Sequence, residues 1–543
     1  MKIQNLHPKN YKQFVGDYQL GIPFDVSYNL PDNHPAFLID FVIDQLDLSP
    51  LYATYGKIRS ASADPRTMLK IMVYAQMKGV SGSRSIEEEC GTDLAMRYLL
   101  RGKNPPDHAT IARFRRDHFS KCSDTILSQM TKWLLDNEEI DTECLFIDGT
   151  KIESRAGRYT FIWRKSVTKN LERMFEKIVD HIAVCEESYG SRIVKNPEGK
   201  VRPYHLKRLK EELLCVKERE GIDFVSGRGR RKTQLQRDCE RTLEFIERLK
   251  GYEEKLEKLG EKNSCSKTDC DATFMRTKDD HMGNAQLKPC YNLQHAVNSS
   301  YIIDLMLDAS ATDTGALIPL LEKIEEDSGL RFDKIVADAG YESEENYKYL
   351  EGKGQISFIK TSVHEVQKTR KFKNDIGRFS NMDYNKEEDC YICHEGRKLT
   401  FQSVRRRKSK SGYIAKNRVY VCESCEGCSR KGECIRSRSK TPLEDRNKAV
   451  YIASDFNRLR EEDNERIQSE EGALLRMNRS IQAEGSFGMT KTVLGKDRFL
   501  CFGLEMARAE SVLTAIAYNF KRLHSRIQRR CLGQHLYPLN NTG

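Results

Sequence analysis

No stretch of this 543-residue chain approaches the run of about 18 to 20 apolar residues that a membrane-spanning helix needs. The opening residues MKIQNLHPKNYKQF hold no apolar signal core. The expectation is an intracellular, cytoplasmic protein with no membrane partner. The phosphate-cradling pattern GxxxxGK[ST] is missing, so the chemistry should need no ATP. The GxSxG elbow is missing too, and without it scattered histidines such as His281 and His295 read as core or surface residues rather than parts of a hydrolase triad. Cysteine is plentiful at seventeen, but an odd count excludes a fully paired disulfide framework within one chain.

What is present describes a basic globular protein of several domains. Lys+Arg 91 against Asp+Glu 80 leaves a formal charge of +11, with a pI near 8.8 and a mean hydropathy of −0.66. Hydrophobic residues at 38% and aromatics at 9% still supply a core. A polyanionic partner is compatible with that charge.

The first 130 or so residues read as helical. Asp64-Pro65 is a cap followed by proline at the first helical position, and Met68, Ile71, Met72 and Ala75 then recur at helical spacing. A second helix is predicted from Ser85 to Leu100. Asp107 caps a third, HATIARFRRDHF, in which Ile111, Phe114 and His118 share a face while Arg113, Arg115 and Arg116 project elsewhere. Short helices with arginines on the last suit a DNA-binding module, and equally a helical bundle with a solvated basic face.

A Lys/Arg/Glu-rich helical stretch at 164–263 reads as an insertion, with a basic loop from Gly227 to Lys232 suited to phosphate. Around it the pattern is strand-like. ECLFID is an apolar run ending in an acid, CYNLQHAVNSS and YIIDLMLDAS make a hairpin, and then helix, strand (FDKIVADAG), helix and strand (QISFIKT) follow. Strand, hairpin, helix, strand, helix, strand is the order of a ribonuclease H-like mixed α/β sheet. A Cys-rich insertion at 380–446 comes next. The chain then turns helical again, with an apolar stripe at Leu513, Ile516, Phe520 and Leu523.

Two acids stand out from the background. Asp148 closes Leu145-Phe146-Ile147 and precedes Gly149; Asp338 closes Ile335-Val336-Ala337 and precedes Ala339-Gly340. Acids at the ends of buried strands are costly unless paired or metal-bound, and small neighbours would leave room for a substrate backbone. The sheet order puts their strands side by side. Two facing carboxylates repel, and a divalent cation resolves the repulsion. A third ligand is expected from the closing helix, with Glu484 the best candidate and Glu471 and Glu510 as rivals. Such a set can hold two Mg²⁺ or Mn²⁺ ions for phosphoryl transfer. Lys491 and Arg479 would then reach substrate phosphate.

Six cysteines gather in one stretch: Cys390 and Cys393, then Cys422, Cys425 and Cys428, then Cys434. Two knuckles separated by basic, strand-compatible sequence suit a zinc ribbon with four thiolates around a structural Zn²⁺. Six candidates compete for four places. Arg405, Arg406, Arg407, Lys408 and Lys410, in the loop between the knuckles, would meet a phosphate backbone.

IDGTKIES around Asp148, VADAGYES around Asp338 and RSIQAEGSFGMTKTVLG around Glu484 resemble the three acidic motifs of bacterial insertion-sequence DDE transposases. Leu51 to Phe119, including DHATIARFRRDHF, is similar to the InsH-type N-terminal domain of those proteins. The resemblance implies a helical DNA-binding domain over 1–135 and a ribonuclease H-like catalytic domain over 140–535 carrying the two insertions. It also implies a nucleoid-associated enzyme that acts on double-stranded DNA. Such an enzyme binds terminal inverted repeats, cleaves there with Mg²⁺ or Mn²⁺, and joins the ends to target DNA as a homodimer. Asp148, Asp338 and Glu484 carry over as the metal-binding triad. Cys393, Cys425, Cys428 and Cys434 carry over as the zinc set, with Cys390 and Cys422 as alternates. Lys491, seven residues after the Glu, fits the family pattern. The arginine expected four residues before it does not: position 480 is Ser, the arginine is Arg479, and position 477 is Met in place of Tyr. Two other readings are a domesticated, non-catalytic DNA-binding relative and a ribonuclease H-like nuclease that only cuts.

Overall fold

The computed structural model describes residues 30–56, 63–157, 159–190, 202–227, 229–277, 286–409, 411–436 and 439–539. Arg228 of the basic loop, His281 and Lys410 lie outside them. The chain divides into two compact units, one of residues 1–133 and 513–532, the other of 134–512 and 533–543.

The first unit is helical. Asp64 caps Pro65–Met77 through a bond from the Thr67 amide (2.9 Å), and that helix is buried along almost its whole length. Its buried Lys70 is neutralised by Asp40 and Asp44, each at 2.6 Å. The helix predicted over 85–100 is two helices, Ser83–Thr92 and Leu94–Leu100. Asp93 takes an extended conformation between them and caps the second through the Met96 amide. Asp107 caps His108–Arg113 as expected. A π-helical stretch, Phe114–Phe119, follows directly. Ile111 and Phe114 are buried, and His118 stacks on Tyr55 at 3.7 Å. Leu513, Ile516, Phe520 and Leu523 are core residues.

The second unit is mixed α/β. Its strands are β1 (Cys144–Glu153), β2 (Phe161–Trp163), β3 (Ser264–Ser266), β4 (Thr273–Arg276), β5 (Leu287–Asn298), β6 (Tyr301–Asp308), β7 (Lys334–Ala337) and β8 (Ile356–Ile359). A six-stranded sheet runs β4-β5-β1-β7-β8, with β6 also paired to β5. β5 is antiparallel to β1 and β6, while β7 is parallel to β1 and β8. This mixed sheet is consistent with a ribonuclease H-like fold. The β5–β6 hairpin turns on Ser299 and Ser300, both at positive φ (52° and 64°), the conformation a two-residue hairpin requires.

The helical insertion leaves and returns through the short β2–β3 ladder. Its helices Arg164–Tyr189, Pro203–Arg219 and Gln234–Leu259 close on their own apolar core, which includes Ile178, Leu206, Leu213 and Phe245. In the basic loop, Lys232 is taken up by Glu240 (2.7 Å).

The Cys-rich stretch builds a five-stranded antiparallel sheet in the order β13-β12-β11-β10-β9. The strands are β9 (Asp383–Asn385), β10 (Cys390–Ile392), β11 (Lys398–Lys408), β12 (Ile414–Cys422) and β13 (Ala449–Ile452). Arg405, Arg406 and Arg407 therefore lie on strand β11, not in a loop as the sequence suggested; the turn comes later, closing with Ser409 bonded to Tyr413. At that turn Ser411 and Tyr413 donate to Glu345 and Glu344 (2.7 Å each) at the start of helix Glu344–Lys353, which joins β7 to β8.

Candidate active site

The β1–β7 ladder fixes the two aspartates. Phe146 pairs with Val336 in parallel register, so Asp148 and Asp338, each two residues further on, emerge at matching positions on neighbouring strands. Asp338 lies just past β7, as predicted. Asp148 does not end its strand: β1 continues to Glu153 on the β5 side alone, so Asp148 stands where β1 parts from β7. Each carboxylate accepts from the backbone ahead of it, Asp148 from Gly149 (2.9 Å) and Asp338 from Gly340 (2.7 Å).

Glu484 comes from helical chain after the Cys-rich sheet. The chain passes from α-helix Glu470–Arg479 into a π-helical turn, Ser480–Glu484, then Gly485–Gly488 and a second π turn, Met489–Val493. Just past Glu484, Ser486 bonds His295 (2.9 Å) and Phe487 stacks on the same ring at 4.1 Å. His295 pairs with Asp148 across the β1–β5 ladder. It is a core residue that anchors the Glu484 helix to the sheet, and burial lowers its pKa to about 3.

Arg479 joins the acids. Its guanidinium lies 2.8 Å from Glu484 Oε1 and 3.5 Å from Asp148 Oδ2. Asp148 (14% exposed) and Arg479 (16%) are sheltered, while Glu484 is 50% exposed. Burial pushes the Asp148 carboxyl up to about 6; Arg479 and the Gly149 amide pull it down, and Asp338 and Glu484 push it up. The three predicted acids thus share one electrostatic environment, with a cation among them. The rivals are committed elsewhere. Glu471 pairs with Lys334 at the opposite end of β7 (2.7 Å), and Glu510 holds Lys496 (2.8 Å). Lys491, in the second π turn, has Nζ 3.5 Å from the Lys151 carbonyl oxygen on β1.

A fourth acid, Asp313, was not foreseen. Its Oδ1 accepts from Asn292 (2.6 Å) and Gln294 (2.8 Å) on β5, and Tyr341 donates to Gln294 Oε1. The space beside the small residues is therefore not open for a substrate backbone: a Cβ on Gly149 would meet Gln294 Nε2 at 2.6 Å and Asp313 Oδ1 at 2.9 Å, and one on Gly340 would meet Asp338 and Asp313. The glycines make room for this network. Its only signal in the sequence was two carboxamides on the second phase of a strand whose first phase, Tyr291, Leu293 and His295, is already buried.

Five of the six clustered cysteines, Cys393, Cys422, Cys425, Cys428 and Cys434, line one cavity with Lys448. Cys390 is not among them; its thiol faces Glu388 (3.6 Å). Cys422 donates to the Ser424 carbonyl (3.3 Å), and burial with the contact to Cys425 raises its pKa to about 12. Cys434 is raised by burial and by Cys393, Cys425 and Cys428 around it, against a lowering by Lys448. Elsewhere, Arg405, Arg406 and Arg407 are exposed, Arg405 lying over the Tyr451 ring. In the first unit Arg113 and Arg116 are exposed, Arg116 pairing with Asp117 (2.7 Å), and Arg115 is half-buried.

Residues 392–524 match the family model for the transposase DDE domain, and residues 24–117 match the transposase domain DUF772. Both are transposase families, and together they support an insertion-sequence DDE transposase. The DDE match takes in Cys393 to Cys434, Arg479, Glu484 and Lys491 of this transposase; Asp148, Asp338 and the helical insertion lie outside both matches. The family is in general dependent on divalent metal. No curated protein and no solved structure matches the chain. Among the described residues, no helix is long and apolar enough to cross a membrane.

Proposed function

We propose that this transposase cleaves DNA at the terminal inverted repeats of an insertion sequence and joins the freed ends to target DNA, with Asp148, Asp338 and Glu484 as its catalytic acids. The observation that carries the reading is the in-register emergence of Asp148 and Asp338 from adjacent parallel strands, with Glu484 tied to Asp148 through Arg479. Three carboxylates offer hard oxygen donors, and a buried carboxyl held near 6 gains most from a nearby cation. Mg²⁺ or Mn²⁺ bound there would activate water or a 3′-hydroxyl and stabilise the leaving oxygen.

The chain's own residues have separable roles in this scheme. Arg479 balances the acids before substrate arrives and is close enough to turn to a phosphate oxygen. Lys491 supplies a second cation from the same helical segment. Water attack at phosphorus breaks the P–O3′ bond and leaves a 3′-hydroxyl, and that hydroxyl then attacks a phosphodiester of the target, breaking its P–O3′ bond and releasing a target 3′-hydroxyl. Arg113, Arg115 and Arg116 in one unit, and Arg405, Arg406 and Arg407 in the other, are assigned to DNA phosphates. Two ends must be joined together, so the working form on DNA is a homodimer.

The cavity of five thiols is read as a structural zinc site. Cys393, Cys425, Cys428 and Cys434 form the set. Cys422, bonded to a carbonyl and reluctant to ionise, is the spare.

The test uses the purified chain, DNA bearing the element's inverted repeats, and Mg²⁺ or Mn²⁺. Asp148→Asn, Asp338→Asn and Glu484→Gln should each abolish cleavage while leaving the gel shift on repeat DNA intact. Normal cutting by any one of them removes that residue from the triad.

A further inference from the structure

The helical insertion holds a second cluster of metal-ligating side chains, far along the chain from both the acids and the clustered cysteines. His181 and Cys185 sit one turn apart on helix Arg164–Tyr189, and Asp238 faces them from helix Gln234–Leu259. All three are buried, and one ligand atom from each lies within 4.8 Å of the others.

Three features separate this cluster from ordinary core polarity. First, the Asp238 carboxylate is buried with no cationic side chain paired to it among the described residues. Its neighbours are the Tyr189 hydroxyl (2.8 Å) and the Gln234 amide (3.2 Å). Arg237, its neighbour in sequence, is exposed, and Arg241 lies over the Phe245 ring. A buried carboxylate without a counter-charge is costly. Second, the imidazole tautomer is fixed. Thr242 gives its hydroxyl hydrogen to the Asp238 carbonyl oxygen (2.8 Å), so it can only accept from His181 Nε2 (2.9 Å). Nδ1 keeps its lone pair, 4.0 Å from Cys185 Sγ, with Nε2 at 3.8 Å from the same sulfur, so the thiol lies beside the ring and a small ring rotation brings Nδ1 toward it. A histidine whose far nitrogen is anchored by a hydrogen bond is oriented as a metal ligand. Third, the separation is right: Zn–S of about 2.3 Å and Zn–N of about 2.0 Å put sulfur and nitrogen roughly 3.5 Å apart in a tetrahedron, a few tenths closer than here.

We propose that His181, Cys185 and Asp238 form a structural metal site for a zinc-class divalent cation. It ties the first insertion helix to the last. Thiolate and carboxylate together cancel the charge of the ion, and the mixed N, S and O donors favour a borderline metal over Mg²⁺ or Ca²⁺. Tyr189, bonded to Asp238, supports the carboxylate from the second layer. The site is independent of the catalytic reading and of the five-thiol cavity.

The experiment separates it from that cavity. The full chain carrying Cys425→Ser and Cys428→Ser, freed of metal and reduced, is titrated with Co²⁺ alone. A thiolate-to-cobalt absorption band should appear, with the intensity of one site per chain, and Zn²⁺ should displace it; Co²⁺ on the catalytic carboxylates gives no such band. Adding Cys185→Ala should remove the band. Absence of the thiolate-to-cobalt band, or a band that survives Cys185→Ala, overturns the proposal. As a check that does not depend on the serine variants folding, zinc per chain is compared between the unaltered protein and His181→Gln. Loss of one equivalent with helicity retained is expected, and unchanged zinc overturns the site.

Discussion

Arg479 and Glu484 are five residues apart, yet their side chains meet at 2.8 Å because the helix between them takes a π turn. Side chains four apart align on an α-helix; a π turn, closing on i+5, brings residues five apart onto the same face. The arginine that looked misplaced by one position in the sequence is thus returned to the acid's side. The turn carries both the third acid and its cation, as π turns at functional positions often do.

Removing that cation should lower two parameters, one to the enzyme's gain and one to its loss. Arg479→Gln leaves Asp148 and Glu484 without a competing positive charge, so half-saturating Mn²⁺ for repeat cleavage should fall. The maximal rate should also fall, by about 10- to 100-fold, for want of the guanidinium at the phosphate. A raised Mn²⁺ requirement would mean that Arg479 does not compete for the acids.

The acid itself makes a thermodynamic prediction. Asp148 is raised from 3.8 to about 6 in the folded chain, so the folded state prefers the proton. The penalty is absent below the unfolded value, grows between about pH 4 and 6, and is complete above. In metal-free protein Asp148→Asn should therefore stabilise the fold at pH 8, by on the order of 2 kcal/mol, with no gain at pH 3.5. Melting curves of both proteins in EDTA across that range check the sign.

Asp313 can be tested through its two amide donors. Asp313→Asn keeps the shape but turns an NH₂ or a weaker acceptor toward Asn292 and Gln294, at a cost of about 1–3 kcal/mol in denaturant unfolding. Cleavage should drop while repeat binding persists, since the network backs Gly149 and Gly340 rather than the DNA. Gly149→Ala, which drives a methyl into the same network, should be at least as damaging on both measures.

The strand arginines offer a salt test. On β11 alternate residues face opposite ways, so Arg405 and Arg407 share a face that Arg406 does not. With all three on phosphate, the double change Arg405→Ala with Arg407→Ala should reduce the slope of log affinity against log salt by roughly 2, and Arg406→Ala by roughly 1. An unchanged slope in both would place DNA elsewhere.

Legibility followed the physics of each feature. The strand order and the positions of Asp148 and Asp338 could be read from short apolar runs ending in acids, because buried strands tolerate an acid only at a special place. The length of β1 could not: the apolar run stops at Ile147, and Gly149, Thr150 and Lys151 stay extended through their pairing with β5. The break at Asp93 was hidden because Asp is tolerated inside helices and caps them equally well. Arg405 to Lys408 read as a loop on charge alone, whereas cross-strand pairing with residues 414–417 holds them extended. Asp313 was invisible, since its importance lies in partners on another element.

The narrow β2–β3 ladder has an implication for how this chain could have been assembled. Phe161 to Trp163 lie against Ser264 to Ser266, so the insertion begins and ends at the same spot, about one strand spacing apart. A small apolar plug of Ile162, Val167, Leu259 and Cys265 seals that neck, and the helices beyond it have a core of their own. A short turn could replace residues 164–263 without moving either end of the sheet, which makes the segment a self-contained module joined to the scaffold at one narrow neck.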